Sequence, residues 1–285
     1  METRRVVISS EFVQPLRPDP RYSLSAELTE RAKVVGSTSG EQTPIDAQQV
    51  DAIALSVFAS SEIEGEGFGQ ENFGSFLAAV TEPGERVDAE LADRLQVFQD
   101  QVEAYRWAYG STDQLTVEFI LEAHRRMFQS AKPMIAGRLK AKPVVIDYRQ
   151  NGTAVTIKTV APERCGEFLA GLVERYNGLL TSADPLLLVA EFHVDFLAIH
   201  PFADGNGRVG RMLASVLLAR SGYGFVRSYP LDQVVLDTRR QYYDALLAAQ
   251  SGWHTEDEDL TPWIEYFVGV IAEQAARAKR LKGQH

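Results

Sequence analysis

The sequence predicts a mainly α-helical fold with one short β-hairpin, and three observations predict it. Apolar residues recur at three- and four-residue steps through most of the chain beyond residue 45. Only Val144-Val145-Ile146 and Val155-Thr156-Ile157 are strongly β-prone, and they flank Asn151-Gly152, a dipeptide that favours tight hairpin turns. No repeat, low-complexity tract or linker divides the helical series, and 285 residues suffice for one large core.

Residues 1–42 are rich in Pro, Arg, Ser and Gly without periodicity and read as an extended or partly ordered arm; residues 43–285 read as the domain. Thr43-Pro44-Ile45-Asp46 offers a cap, a proline at the first helical position and an acid in the first turn. That helix should run to Glu64 and stop at Gly65, since glycine takes the left-handed conformation that commonly ends helices. Helices are then expected over 71–80, 87–109, 116–128, 162–180, 185–199, 206–220, 231–249 and 262–279, with the hairpin at about 144–159.

The formal net charge of −10 argues against a nucleic-acid partner, whose backbone calls for a basic face. Val6-Val7-Ile8 is too short for a signal-peptide core or a membrane span, so no membrane partner is expected. The single cysteine, Cys165, leaves no intrachain disulfide framework and fits a reducing compartment, so the expected location is cytoplasmic.

The chemistry concentrates in His200-Pro201-Phe202-Ala203-Asp204-Gly205-Asn206-Gly207-Arg208-Val209-Gly210-Arg211. An apolar helix ends at His200, and the next begins at Asn206, so a glycine-bracketed loop feeds a helix N-terminus. The first N–H groups of a helix lack internal partners and sit at the positive end of its dipole, which suits an anion. Gly205 and Gly207 let a phosphate approach the backbone, and the Asn206 side chain could add a donor. Arg208 and Arg211 share a flank of the helix; cations there oppose the dipole by roughly 0.3–1 kcal/mol each unless an anion compensates. Asp204 beside phosphate suggests a shared Mg²⁺, and His200 suits a general base acting on a hydroxyl.

Blander readings hold elsewhere. His193 invites a metal triad, but no complete zinc set accompanies it, and a core or supporting histidine is the simpler reading. His124 and Phe202 read as structural, and Tyr242, Tyr243 and Trp263 mainly as packing, with Tyr242 and Tyr243 candidates to line a nucleotide-base pocket.

The string from His200 to Arg211 resembles the signature of the Fic family at every defining position, and Ser60-Ser61-Glu62-Ile63-Glu64-Gly65 resembles that family's inhibitory motif. The resemblance covers roughly residues 45–275 and implies a Fic-type helical bundle carrying a hairpin flap. The implied activity is AMPylation: transfer of AMP from ATP to a Tyr, Thr or Ser hydroxyl of a protein, the protein itself included, with release of pyrophosphate. By resemblance, His200 is the base and Asp204 the Mg²⁺ ligand. Gly205, Asn206 and Gly207 would form the anion hole, with Asn206 counted among the catalytic residues, and Arg208 and Arg211 would hold the outer phosphates. Glu64, with Ser60 and Gly65, would pair with Arg211 and inhibit; the hairpin would align a target by strand pairing. A lysine at the place of Gly207 marks a phosphotransferase branch, so this glycine favours nucleotidyl transfer. A homodimer is a family-level expectation. Two alternatives remain: removal of AMP from a modified protein with Glu64 positioning water, and a non-catalytic nucleotide-binding or toxin–antitoxin-like module, which would not need His200.

Overall fold

The chain starts with a strand, β1 (Arg5–Ser9), and a helix, α1 (Ala26–Gly36), both inside the stretch expected to be an arm. They belong to a computed structural model that describes residues 5–9, 22, 25–36, 47–81, 89–150, 153–253, 255 and 257–283. The capping sequence at Thr43 to Asp46 lies outside the described residues, as do His254, His285 and the Asn151-Gly152 turn. Two local features account for the order in this stretch. The run Val6-Val7-Ile8, too short to span a membrane, is long enough for a strand. In α1 the buried face is narrow, only Ala32 and Val35 being buried among its described side chains, while Glu27–Arg31 and Glu30–Lys33 pairs support the exposed side.

Next come α2 (Ala47–Glu64), α3 (Phe73–Thr81), α4 (Ala89–Gly110) and α5 (Val117–Phe128). Strands β2 (Val145–Gln150) and β3 (Thr153–Lys158) pair antiparallel as the hairpin, with Ile146 opposite Ile157. β1 adds in parallel to the other edge of β3, with Val7 opposite Thr156, so the expected two-stranded hairpin is a three-stranded sheet of order β1-β3-β2. Helices α6 (Cys165–Leu179), α7 (Pro185–Ile199) and α8 (Asn206–Arg220) follow.

The stretch expected as one helix from Leu231 to Ala249 is two: α9 (Leu231–Asp237) and α10 (Arg239–Ser251). Thr238 leaves helical geometry, and its hydroxyl returns to the Val234 carbonyl at 2.8 Å, a local bond that competes with the helix ladder. The last helix is α11 (Thr261–Lys282).

Helices α7 and α8 form the centre. Asp184 caps α7 by accepting from the N–H groups of Leu186 and Leu187, and every residue from Leu186 to Ile199 is buried. α11 closes over α7 through Trp263, whose indole N–H donates to the Ala190 carbonyl at 2.7 Å. Burying one such ring contributes about 4–6 kcal/mol gross, before entropy. α2 packs on α4, α8 and α9, which carries its C-terminal end to the beginning of α8. Among the described residues no helix is long and apolar enough to cross a membrane.

Candidate active site

The base predicted from sequence sits at a strained corner. His200 ends α7 in the left-handed region, φ 54°, a conformation that costs a non-glycine residue roughly 1–3 kcal/mol and persists only when its surroundings impose it. Lys140 supplies much of that constraint. Its ammonium donates to the Ile199 carbonyl at 3.2 Å and to Thr159 Oγ1 at 2.6 Å, and its backbone N–H donates to the Pro201 carbonyl at 2.8 Å. The carbonyls of both residues that flank His200 are thereby tied to Lys140.

His200 Nδ1 lies 3.1 Å from the Leu197 carbonyl, which can only accept, so Nδ1 carries the proton and Nε2 the lone pair. Burial, opposed by the bond to Leu197 and aided by the nearby Lys140 charge, pushes the His200 pKa down to about 4. At neutral pH the ring is therefore in its proton-accepting form.

In the glycine loop the Gly205 N–H donates to Asp204 Oδ1 at 2.6 Å. Gly205 has φ 80°, and a Cβ there would lie 2.3 Å from the Phe128 ring, so no other residue fits without displacement. Asn206 does not offer its carboxamide to a ligand. Its Oδ1 accepts from Phe202 N–H and its Nδ2 donates to the Phe202 carbonyl, both at 2.9 Å, and the side chain is buried. The expected side-chain donor is thus a brace across the loop, and what Asn206 can give an anion is its backbone N–H at the start of α8.

His124, read as structural, braces the same loop. Its Nδ1 accepts from Gly137 N–H at 2.9 Å, which leaves Nε2 to donate to the Asp204 carbonyl at 3.0 Å. The ring stacks on Phe202 at 3.8 Å between centroids, and burial drives its pKa to about 4.

Ser60 and Glu64 converge on Arg211, and Gly65 closes the helix that carries them. α2 ends in a paired closure, Gly65 N–H to the Glu62 carbonyl at 3.2 Å and Glu66 N–H to the Ser61 carbonyl at 3.0 Å, with Gly65 at φ 76°. Arg211 Nη2 donates to Ser60 Oγ at 2.7 Å and to Glu64 Oε1 at 2.8 Å. A Cβ on Gly207 would meet Glu64 Oε1 at 2.3 Å, so the carboxylate lies on the first turn of α8, where an anion is favoured.

Sequence reasoning missed the other side of Arg211. Arg211 Nε donates at 2.8 Å to Oδ1 of Asp232, a fully buried carboxylate whose Oδ2 also accepts from Ser56 Oγ and from Tyr105 OH. Burial opposes the Arg211 charge, and Glu64 and Asp232 more than offset it, so the guanidinium stays ionised. Nothing local marks Asp232, which comes 21 residues later on another helix.

A second cluster was also missed. Lys132 bonds Asp204 Oδ2 and donates to Glu66 Oε1 at 3.1 Å, while Arg208 Nη1 pairs with Glu66 Oε2 at 2.9 Å. Burial works against ionisation of Asp204, yet Lys132 and Arg208 hold its carboxyl below the usual value. Among the described residues no cluster of three His, Cys, Asp or Glu could hold a metal alone. A single carboxylate does fit a Mg²⁺ shared with phosphate oxygens, the usual arrangement for that ion.

The tyrosines divide. Tyr242 is buried in the core beneath Arg211, with the guanidinium 6.0 Å from its ring centre, and so does not line an open base pocket. Its hydroxyl lies 3.4 Å from Nε2 of the buried His193, whose Nδ1 donates to the Gly210 carbonyl at 3.1 Å, so His193 supports α8. Tyr243 is half-buried and donates to the Ile63 carbonyl at 3.2 Å, which puts it beside the end of α2.

Residues 114–218 match the Fic/DOC family. Over 154 residues the chain is 33% identical to a protein adenylyltransferase fic-1 of Caenorhabditis briggsae, covering 54% of this chain and 26% of that protein. It is 30% identical over 160 residues to a protein adenylyltransferase Fic of Nematostella vectensis, covering 54% and 32%. The chain thus spans about a quarter to a third of the length of these curated relatives. In fold it is similar to a Fic family protein from Desulfovibrio desulfuricans, with a TM-score of 0.76 at 23% identity over 94% of this chain and 78% of that one. It is also similar to Fic-1 from Caenorhabditis elegans, with a TM-score of 0.68 at 25% identity over 91% and 74%.

Proposed function

We propose that this chain, which carries a Fic domain over residues 114–218, is a protein adenylyltransferase whose resting state is inhibited by Glu64. One observation supports the reading most: a neutral histidine at a strained corner stands beside an anion-favouring helix start on which a carboxylate of the same chain is seated. ATP is the nucleotide donor and a protein hydroxyl the acceptor.

His200 Nε2 takes the proton of the target hydroxyl as its oxygen attacks the α-phosphorus. The new O–P bond forms as the bond from the α-phosphorus to the bridging oxygen breaks, and pyrophosphate leaves. Backbone N–H groups of Asn206 and Gly207 face the charge that develops on the α-phosphate, and Arg208 and Arg211 hold the departing phosphates. Asp204 would hold Mg²⁺, which when bound neutralises phosphate charge. Since β1 covers one edge of β3, a target strand would add at the edge of β2. A reducing, cytoplasmic setting fits the lone buried Cys165.

In this account Glu64 keeps Arg211 from the γ-phosphate. The test uses labelled ATP: His200→Ala should retain nucleotide binding and lose AMP transfer, and transfer at the wild-type rate would remove His200 as the base.

A further inference from the structure

The two acids that flank Gly65 each occupy a cationic seat, but only one of those seats belongs to the inhibitory contact described above. Glu64 sits on Arg211 and the first turn of α8. Glu66 spans Lys132 and Arg208 with separate oxygens, Oε1 to Lys132 at 3.1 Å and Oε2 to Arg208 at 2.9 Å. Two oxygens of one anion held by two cations is also how a phosphate group would be gripped.

We infer that Lys132 joins Arg208, already assigned to the outer phosphates, as the second cation of one phosphate subsite and that Glu66 is its occupant at rest. The ligand is a phosphate of the nucleotide's outer chain, so the assignment rests on the adenylyltransferase reading for what enters the site. Arg208 is built as a fixed wall of the subsite. It is buried, its guanidinium packs over the Phe128 ring at 4.6 Å, and its Nε is buried without a hydrogen-bond partner. Lys132, by contrast, is partly exposed, on the loop after α5, and free to follow an arriving anion.

Charge supports the exchange. At rest Lys132, Arg208 and Arg211 face four carboxylates: Glu64, Glu66, Asp204 and Asp232. With Glu64 and Glu66 withdrawn, three cations face two acids, and the pocket attracts a polyanion. Both glutamates hang from the same closure of α2, so one displacement of that end vacates both seats. Lys132 then leaves Asp204 for phosphate, which also frees the carboxylate predicted to bind Mg²⁺.

The test is calorimetric titration of the full chain with inorganic pyrophosphate in EDTA, in the Glu64→Gly background so that Arg211 is open. Glu66→Gln should tighten binding about tenfold, roughly the value of one charge-assisted contact. Adding Lys132→Met should abolish that gain. Unchanged affinity on Glu66→Gln, or a gain that survives Lys132→Met, would overturn the subsite. Because the titration needs neither metal nor transfer, its failure leaves AMP transfer by the wild-type chain untouched, and a chain that shows the gain but transfers no AMP refutes only the enzymatic reading. Lys132 and Glu66 side chains are 33% and 48% exposed, so neither substitution disturbs the core.

Discussion

The carboxylate of Glu64 binds the guanidinium of Arg211 at 2.8 Å across 147 residues of chain, and the two differ sharply in exposure, 28% for the acid and 1% for the arginine. An ion pair with one half open to water contributes little stability, because solvent competes for it. Arg211 is held in place from the buried side by Asp232, so Glu64 can leave without stranding a charge in the core. The geometry suits an exchange of one anion for another on a fixed cation.

Asp232→Ala should therefore be far more damaging to the fold than Glu64→Gly. Removing one partner of a buried ion pair costs about 3–5 kcal/mol. Chemical denaturation should show a loss of that order for Asp232→Ala, with ATP affinity falling as Arg211 loses its anchor, and at most about 1 kcal/mol for Glu64→Gly.

Acidification should weaken the fold through three histidines. Burial lowers the pKa values of His124, His193 and His200 to about 4, 3 and 4. In the unfolded chain the same rings take up protons below about 6.5. Between these values the unfolded state binds more protons, so stability is complete above about pH 6.5 and falls as pH drops toward 4. The slope approaches about 1.4 kcal/mol per pH unit for each histidine. Denaturation midpoints measured from pH 7 to 4.5 should show the decline; a flat profile would contradict neutral buried rings.

Lys140 is expected to be a positioning residue for the base. Lys140→Met removes the bond to the Ile199 carbonyl and the charge that helps depress the His200 pKa. Transfer should fall roughly 10- to 100-fold from misplacement of the base. The acid limb of the pH–rate profile should also move to higher pH, a change that general destabilisation would not produce.

The sequence carried the local parts of this site well. The start of α8, the closure of α2 after Glu64 and the two hairpin strands rest on neighbours in the chain, and glycine, proline and periodicity mark them directly. Contacts between distant elements were less visible. Glu64 was tied to Arg211 only through family resemblance, and Asp232 escaped notice because a lone acid in an apolar helix start looks like an ordinary cap. Nothing in the neighbouring sequence marks Lys132 and Glu66, which only the fold brings to Arg208 and Asp204. In Asn206 only the side chain differs from expectation: its type suits a ligand donor, but the Phe202 backbone engages both of its polar atoms. Thr238 broke a helix that periodicity alone would continue.

Under the proposed function, Glu64 restrains an adenylyl transfer for which the rest of the site is assembled. The most direct test of this restraint is the rate of AMP incorporation from labelled ATP into protein by Glu64→Gly beside the wild-type chain. A rise of on the order of tenfold or more is expected, as Arg211 is relieved of its competitor. Equal rates in the two proteins, with ATP binding intact, would contradict it.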